Sequence, residues 1–257
     1  MTRPLHIGLL SAMPEEIGSD LTHLETVDER CHGDFTLHRC RWNGPDGAPP
    51  IQLSLAWSGW GKVCAARAAT RLLASTPAEE PLDLLLFTGV AGAANPDLRQ
   101  WDVLLASGVI QHDMDASPLF PRFTLPPLNR DRLQPDAAWA QWAQTALEQS
   151  YRNGSLDGFG APRRGLIGTG DQFINDAAVL SQLRADIPDL QAVEMEGAAV
   201  AQVAEQEGVP WLVLRVISDS ADGEAADSFS DFVQRYDHSA WRLVDALLNA
   251  QSEAPRR

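Results

Sequence analysis

Short, nearly continuous apolar runs alternate along the chain with longer segments whose apolar residues recur every three to four positions. That alternation predicts an α/β fold. The runs at 5–13 (LHIGLLSAM), 51–59, 82–92, 102–110, 163–171 and 211–219 read as strands. The segments 62–75, 136–149, 197–208 and 229–249 read as helices. Strands as uniformly apolar as Leu84–Phe87 imply a sheet covered on both faces. In such sheets ligands sit at the strand ends, so chemistry is expected there rather than on the helices. The segment 117–135 breaks the rhythm with five prolines among Leu119, Phe120, Phe123 and Leu125. It predicts an ordered excursion that covers a neighbour or a partner subunit, or a loop with a local apolar cluster.

Composition narrows the function classes. The chain of 257 residues is 44% hydrophobic and carries 20 basic against 35 acidic residues, a formal net charge of −15. Such a charge repels phosphate backbones and anionic lipid, so neither a nucleic acid nor a membrane is the expected partner. No run approaches the roughly 20 apolar residues of a membrane span, and the N-terminal residues lack a signal-peptide pattern. The expectation is a cytoplasmic protein with one domain over 1–250 and a disordered tail over 251–257. Cys31, Cys40 and Cys64 are odd in number and without CxxC spacing, so they read as reduced and structural.

Acidic residues gather where the strands end: Glu15 and Glu16, Asp113 and Asp115, Asp171, Glu194 and Glu196, Asp219 and Asp222. With His112 the only histidine near these ends, a metal site is not expected. Carboxylates of this kind suit acid and base work on a polyhydroxylated substrate, including cleavage of a glycosidic bond. Asp219, in VLRVISDSAD, has apolar neighbours that would raise its pKa, which makes it the candidate acid; it would serve equally as a helix N-cap. Glu194-Met195-Glu196, followed by GAAVAQVA, reads on its own as the acidic start of a helix.

The stretches IGLLSAMPEEI, SGWGKVCAA, TGVAGA, HDMDAS, GLIGTGDQFI, AVEMEGAAVA and RVISDSAD stand in the order and spacing of the nucleoside phosphorylase/nucleosidase family, which the chain resembles from about residue 5 to residue 248. The resemblance implies a single-domain three-layer α/β/α fold around a central mixed sheet. It also implies hydrolysis of the N-glycosidic bond of adenine nucleosides of the 5′-methylthioadenosine and S-adenosylhomocysteine type, without a cofactor, in methionine salvage and nucleoside catabolism. By that resemblance Glu16 activates the attacking water, and Asp219, positioned by Ser218, protonates adenine N7. Glu196 and the Met195 backbone hold the ribose hydroxyls, with Glu194 beside them as a brace or a helix cap. Phe173 stacks on the base and the Ile174 main chain reads its edge, while Met13 and Phe229 line the place of the 5′-substituent. The family's loop corresponding to 116–121 caps a partner's site, so a homodimer with the 116–135 region at the interface is implied.

Two rivals stay open at this point: a phosphate-dependent purine or adenosylated-lipid nucleoside phosphorylase of the same fold, and a non-catalytic nucleoside-binding relative. A phosphorylase needs a forked cation for its dianion. Here Phe87, Val90, Glu15 and Glu16 stand where it would be sought, which favours water. Val90, Trp60 and Pro14 depart from the family's usual residues and leave the 5′-substituent open.

Overall fold

The computed structural model describes residues 3–45, 48–221 and 225–256. Its elements in chain order are β1 (His6–Ser11), β2 (Glu25–His32), β3 (Phe35–Trp42), β4 (Ile51–Trp57), α1 (Lys62–Ala74), β5 (Leu84–Ala93) and β6 (Val103–Gln111). There follow β7 (Arg132–Leu133), α2 (Ala137–Arg152), β8 (Arg163–Thr169), α3 (Ala177–Asp186), β9 (Leu190–Glu194), α4 (Gly197–Gln206), β10 (Trp211–Asp219), α5 (Ala225–Asp237) and α6 (Trp241–Asn249). All six strands and four helical segments expected from hydrophobic patterning are present, and the layered mixed-sheet fold is as expected.

β5 organises the sheet. Each of its ten residues is buried, because Leu84, Leu86 and Val90 face one hydrophobic layer while Leu85, Phe87 and Ala91 face the other. It pairs in parallel with β1 and β10 and antiparallel with β9. Through β10–β6, β6–β8 and β8–β9 the strands return to β5, closing a ring. From β1 the sheet continues outward through β4, β3 and β2. Residues of α2, α5 and α6 share one core with the first face, and those of α1 and α4 share a second core with the other. α2 starts where the Asp136 carboxylate accepts from the Ala138 and Trp139 amides at 2.9 and 3.1 Å, a side-chain N-cap.

Two elements depart from expectation. The segment 229–249 is two helices separated by a turn in which Ser239 N and Ala240 N both donate to Tyr236 O. The break frees Asp237, whose carboxylate accepts from Ser19 N at 2.6 Å. The tail is ordered at its start rather than disordered: Gln251–Glu253 form a 3-10 turn, Gln251 is buried, and its amide donates to Pro49 O at 2.9 Å. The bond to the neighbouring loop anchors the turn in a way that its polar composition does not reveal. The proline-rich excursion lies against its own subunit, latched by Arg122–Asp186, Arg130–Glu205 and Arg132–Asp189 at 2.5–2.7 Å. Leu125 is buried beneath it, whereas Leu119 is 84% exposed.

Candidate active site

The C-terminal ends of β1, β5, β8, β9 and β10, with the N-terminus of α4, surround a cavity of about 550 Å³. Its wall contains all ten residues singled out in the sequence: Met13, Glu16, Phe173, Ile174, Glu194, Met195, Glu196, Ser218, Asp219 and Phe229. Glu15, Asp113, Asp115 and Asp171 are strand-end acids that do not line it, and Asp222 lies outside the described residues. No side chain on the wall is basic among the described residues. Among the described residues there is also no cluster of three or more His, Cys, Asp or Glu arranged to hold a metal ion. The three cysteines are free.

Glu16 sits in a 3-10 turn shortly after β1, and its side chain reaches back to the end of that strand and across to β5. Its Oε2 accepts from Ala12 N and Met13 N at 2.8 and 3.1 Å, and its Oε1 accepts from Val90 N at 3.0 Å. Gly89 has no side chain because none would fit: a Cβ there would lie 2.7 Å from the Glu16 carboxyl carbon. Burial pushes the Glu16 pKa up, against the downward pull of Arg215 and the three amides. A carboxylate so placed is fixed in position and more basic than one in water.

The two glutamates of the EMEG stretch have different work. Glu194 ends β9, and its Oε2 accepts from Glu196 N at 3.1 Å, Gly197 N at 2.7 Å and Arg215 Nη2 at 2.5 Å. The Thr169 hydroxyl donates to its Oε1 and accepts from Ala198 N at 2.8 Å. Glu194 is therefore the side chain that caps α4, although Glu196 occupies the cap position in the backbone and makes no side-chain cap bond. Glu196 Oε1 accepts from Gly61 N at 2.7 Å. Burial, then the nearby Glu194 and Glu16 carboxyls, push its pKa up to about 8.

At the other end of the cavity Asp219 closes β10, buried, with Ser218 Oγ donating to its Oδ2 at 2.7 Å and Ala221 N to its Oδ1 at 2.8 Å. Phe173, 39% exposed, stands edge-on to Phe229 with ring centroids 5.6 Å apart, and Phe229 stands edge-on to Trp60 at 6.1 Å. Two loops at the mouth are tied together by Lys62. Its ammonium contacts Asp113 at 2.6 Å and Asp171 at 3.8 Å, and its amide donates to Asp171 Oδ1 at 2.8 Å.

Sequence reasoning missed Arg215, which is 1% exposed and lies with its guanidinium 4.4 Å from the Phe87 ring centroid. The signal was available: a lone cation inside WLVLRVIS requires a buried counter-charge. The amides of Gly61 and Val90 were not foreseeable from side-chain chemistry. The arrangement as a whole brings a buried, amide-bound carboxyl group and a hydroxyl-bound one to a single cavity lined by apolar and acidic side chains, which suits cleavage of a bond between a polar sugar and a flat base.

Residues 6–249 match the family model described as the Phosphorylase superfamily. The chain is 33% identical over 244 residues to the 5′-methylthioadenosine/S-adenosylhomocysteine nucleosidase of Chromohalobacter salexigens, covering 94% of this chain and 96% of that relative. Two solved nucleosidases of the same name share the fold. The one from Colwellia psychrerythraea, in complex with adenine, has a TM-score of 0.85 at 27% identity and 99% coverage of both chains. The one from Neisseria meningitidis, in complex with methylthio-immucillin-A, has a TM-score of 0.82 at 28% identity, covering 95% of this chain and 98% of its own. The chain belongs to the phosphorylase superfamily and is similar over nearly its whole length to the 5′-methylthioadenosine/S-adenosylhomocysteine nucleosidases within it.

Proposed function

We propose that the protein hydrolyses the N-glycosidic bond of adenine nucleosides of the 5′-methylthioadenosine and S-adenosylhomocysteine type, releasing adenine and the 5′-substituted ribose. The observation that carries this reading is the placement of Glu16 and Asp219 in one cavity with a third carboxyl, Glu196, and, among the described residues, no basic side chain on the wall. As the C1′–N9 bond lengthens, its electron pair moves into the purine and positive charge grows on the ribosyl ring. Asp219 delivers a proton to adenine N7, and Ser218 stabilises the carboxylate that remains. Water adds to C1′ and gives its proton to Glu16. Glu196 accepts from the ribose hydroxyls beside the Met195 backbone, Phe173 and Ile174 hold the base, and Met13 and Phe229 line the place of the 5′-group. The Glu16 carboxylate and, among the described residues, the lack of a basic side chain on the wall disfavour a phosphate dianion as nucleophile.

The proposed setting is cytoplasmic methionine salvage and nucleoside catabolism. The supports are the kinship above, three free cysteines, and the lack, among the described residues, of a helix long and apolar enough to cross a membrane. We also propose a homodimer with the 116–135 region at the interface, supported by the exposed Leu119 of that region and the exposed Val63 beside the cavity mouth.

The test is adenine release from both nucleosides, with and without phosphate, by the native enzyme and by Glu16→Gln and Asp219→Asn. Each substitution is expected to lower the rate by about 100- to 10,000-fold, with no dependence on phosphate. Unchanged rates in both variants overturn the mechanism, and a rate that vanishes without phosphate overturns the hydrolase reading.

A further inference from the structure

Lys62, Asp113 and Asp171 stand outside the cavity wall and take no part in the chemistry proposed above, yet they close a ring of hydrogen bonds beside it. The Lys62 ammonium donates to Asp113 Oδ1 at 2.6 Å, Asp113 Oδ2 accepts from Asp171 N at 2.9 Å, and Asp171 Oδ1 accepts from Lys62 N at 2.8 Å. Three stretches distant in sequence meet there: the start of α1, the loop after β6 and the loop after β8. The ammonium also reaches Gln111 Oε1 at 3.5 Å, and Gln111 Nε2 donates to Gln202 of α4 at 2.8 Å. The side chains of Lys62 and Asp113 are 19% and 25% exposed, so salt and water weaken the pair less than they would at an open surface.

Helix stability does not account for Lys62. A cation in the first turn of α1 meets the positive end of the helix dipole, and the N-cap, Gly61, offers no side chain to offset it. What the lysine gains is Asp113. Burial pushes the Asp113 pKa up, but the Lys62 ammonium and the Asp171 amide outweigh it and hold the carboxyl below its ordinary value. The neighbours of the ring are groups that the site uses. Gly61, next to Lys62, donates its amide to Glu196 Oε1 at 2.7 Å. It does so at a φ of 90°, with Asp171 Oδ1 lying 3.0 Å from where a Cβ would stand. Asp171 is followed at once by Gln172, Phe173 and Ile174, all on the wall. A shift of the ring is therefore felt both at the amide bound to Glu196 and at the stretch that holds the base.

On the hydrolase reading above, we propose that Lys62 is a positioning residue: through Asp113 and Asp171 it fixes the Gly61 amide against Glu196 and residues 172–174 against the base in one mutual arrangement. Without the ammonium, Asp113 and Asp171 are two neighbouring carboxylates that have lost the cation they share, and their repulsion drives the two loops apart. The two halves of the arrangement report separately. Adenine has no ribose, so its binding reads the half built on Phe173 and Ile174. Turnover, in which charge grows on the sugar, reads the half built on Gly61 and Glu196 as well.

The experiment measures kcat and KM for 5′-methylthioadenosine, inhibition by adenine and the thermal midpoint in the native enzyme, Lys62→Met and Lys62→Arg. Lys62→Met is expected to lower kcat by about 10- to 100-fold, as for a reacting group displaced by a fraction of an ångström to one ångström. Adenine should bind about tenfold more weakly. The midpoint should stay within about 3 °C of the native one, as for a partly exposed ion pair. Lys62→Arg returns a cation to Asp113 and should recover most of both losses. Native kinetics in Lys62→Met, a fall in kcat with adenine binding unmoved, a loss of activity that only follows the fraction unfolded, or a Lys62→Arg enzyme no better than Lys62→Met each overturns the inference and leaves the hydrolase standing. A native protein that releases adenine from neither 5′-methylthioadenosine nor S-adenosylhomocysteine overturns the hydrolase reading itself.

Discussion

Arg215 and Glu194 form an ion pair at 2.5 Å with both side chains removed from water. Every lone pair that Glu194 can offer in that direction is also used, by two amides of the α4 N-terminus and by Thr169. The pair therefore belongs to the scaffold and holds the end of β9, the start of α4 and the middle of β10 in one register. Glu196, two residues along, accepts from the Gly61 amide and faces the cavity. A two-residue step along the chain separates the acid that braces the scaffold from one that accepts from the Gly61 amide on the cavity wall.

Arg215→Met leaves Glu194 as a buried charge without its partner and is expected to lower stability by about 3–5 kcal/mol. Adding Glu194→Gln to it should recover part of the loss. Glu194→Gln alone is expected to destabilise, whereas Glu196→Gln should lose turnover without losing stability. Denaturant midpoints measured beside adenine release decide the matter; an Arg215→Met midpoint equal to the native one removes the scaffold role.

Gly89→Ala is expected to act on Glu16 at a distance. The added methyl would sit 2.7 Å from the carboxyl carbon, so the carboxylate must shift from its three amides. A displacement of about 1 Å in a reacting group lowers rate by about 100-fold. The measurable outcome is a fall in kcat with KM for the nucleoside little altered. A variant with native kcat would show that the close approach is unimportant.

Stability should fall as pH rises. Glu196 is pushed up to about 8 in the folded chain, from an ordinary value of 4.5. Between those values the folded protein holds a proton that the unfolded chain has released, so folding is disfavoured progressively with rising pH. The slope is at most about 1.4 kcal/mol per pH unit for this one group. Glu196→Gln cannot titrate and should flatten the profile between about pH 5 and 8. Thermal midpoints of the two proteins across that range give the comparison, and parallel profiles would contradict it.

How much of this could be read in advance varied with the physics of each element. Strands such as β5 and β10 announce themselves because both faces are buried and the whole run is apolar. β2 does not: most of its residues are exposed, and what holds it is its antiparallel pairing to β3 rather than an apolar face. α3 buries only Leu183 and so shows no stripe. Strand-end position alone did not single out the cavity's acids, since Glu15, Asp113, Asp115 and Asp171 share it and do not line the cavity; the family resemblance separated them and supplied Met13, Phe173, Ile174 and Phe229. The amides of Ala12, Gly61 and Val90 carry no signature in residue type, since any residue but proline has an N–H. Arg215 was legible in principle, as a cation that a buried strand cannot hold alone.

Dimer formation can be tested without touching the chemistry. Leu119 is 84% exposed and Val63 80%, and both are apolar. Leu119→Asp and Val63→Asp are expected to shift the protein from a dimeric to a monomeric mass in light scattering. A native protein that is monomeric at micromolar concentration would end the dimer proposal.

β5 meets both ends of the reaction within four residues. Glu16 is fixed at Gly89 and Val90, while Ser218 touches Ala91 O at 3.3 Å and Asp219 stands opposite Gly92. The strand is thus a ruler whose graduations are its own residues, about 3.3 Å apart. Inserting or deleting one residue between Val90 and Gly92 would change the distance from water base to purine acid by a whole graduation.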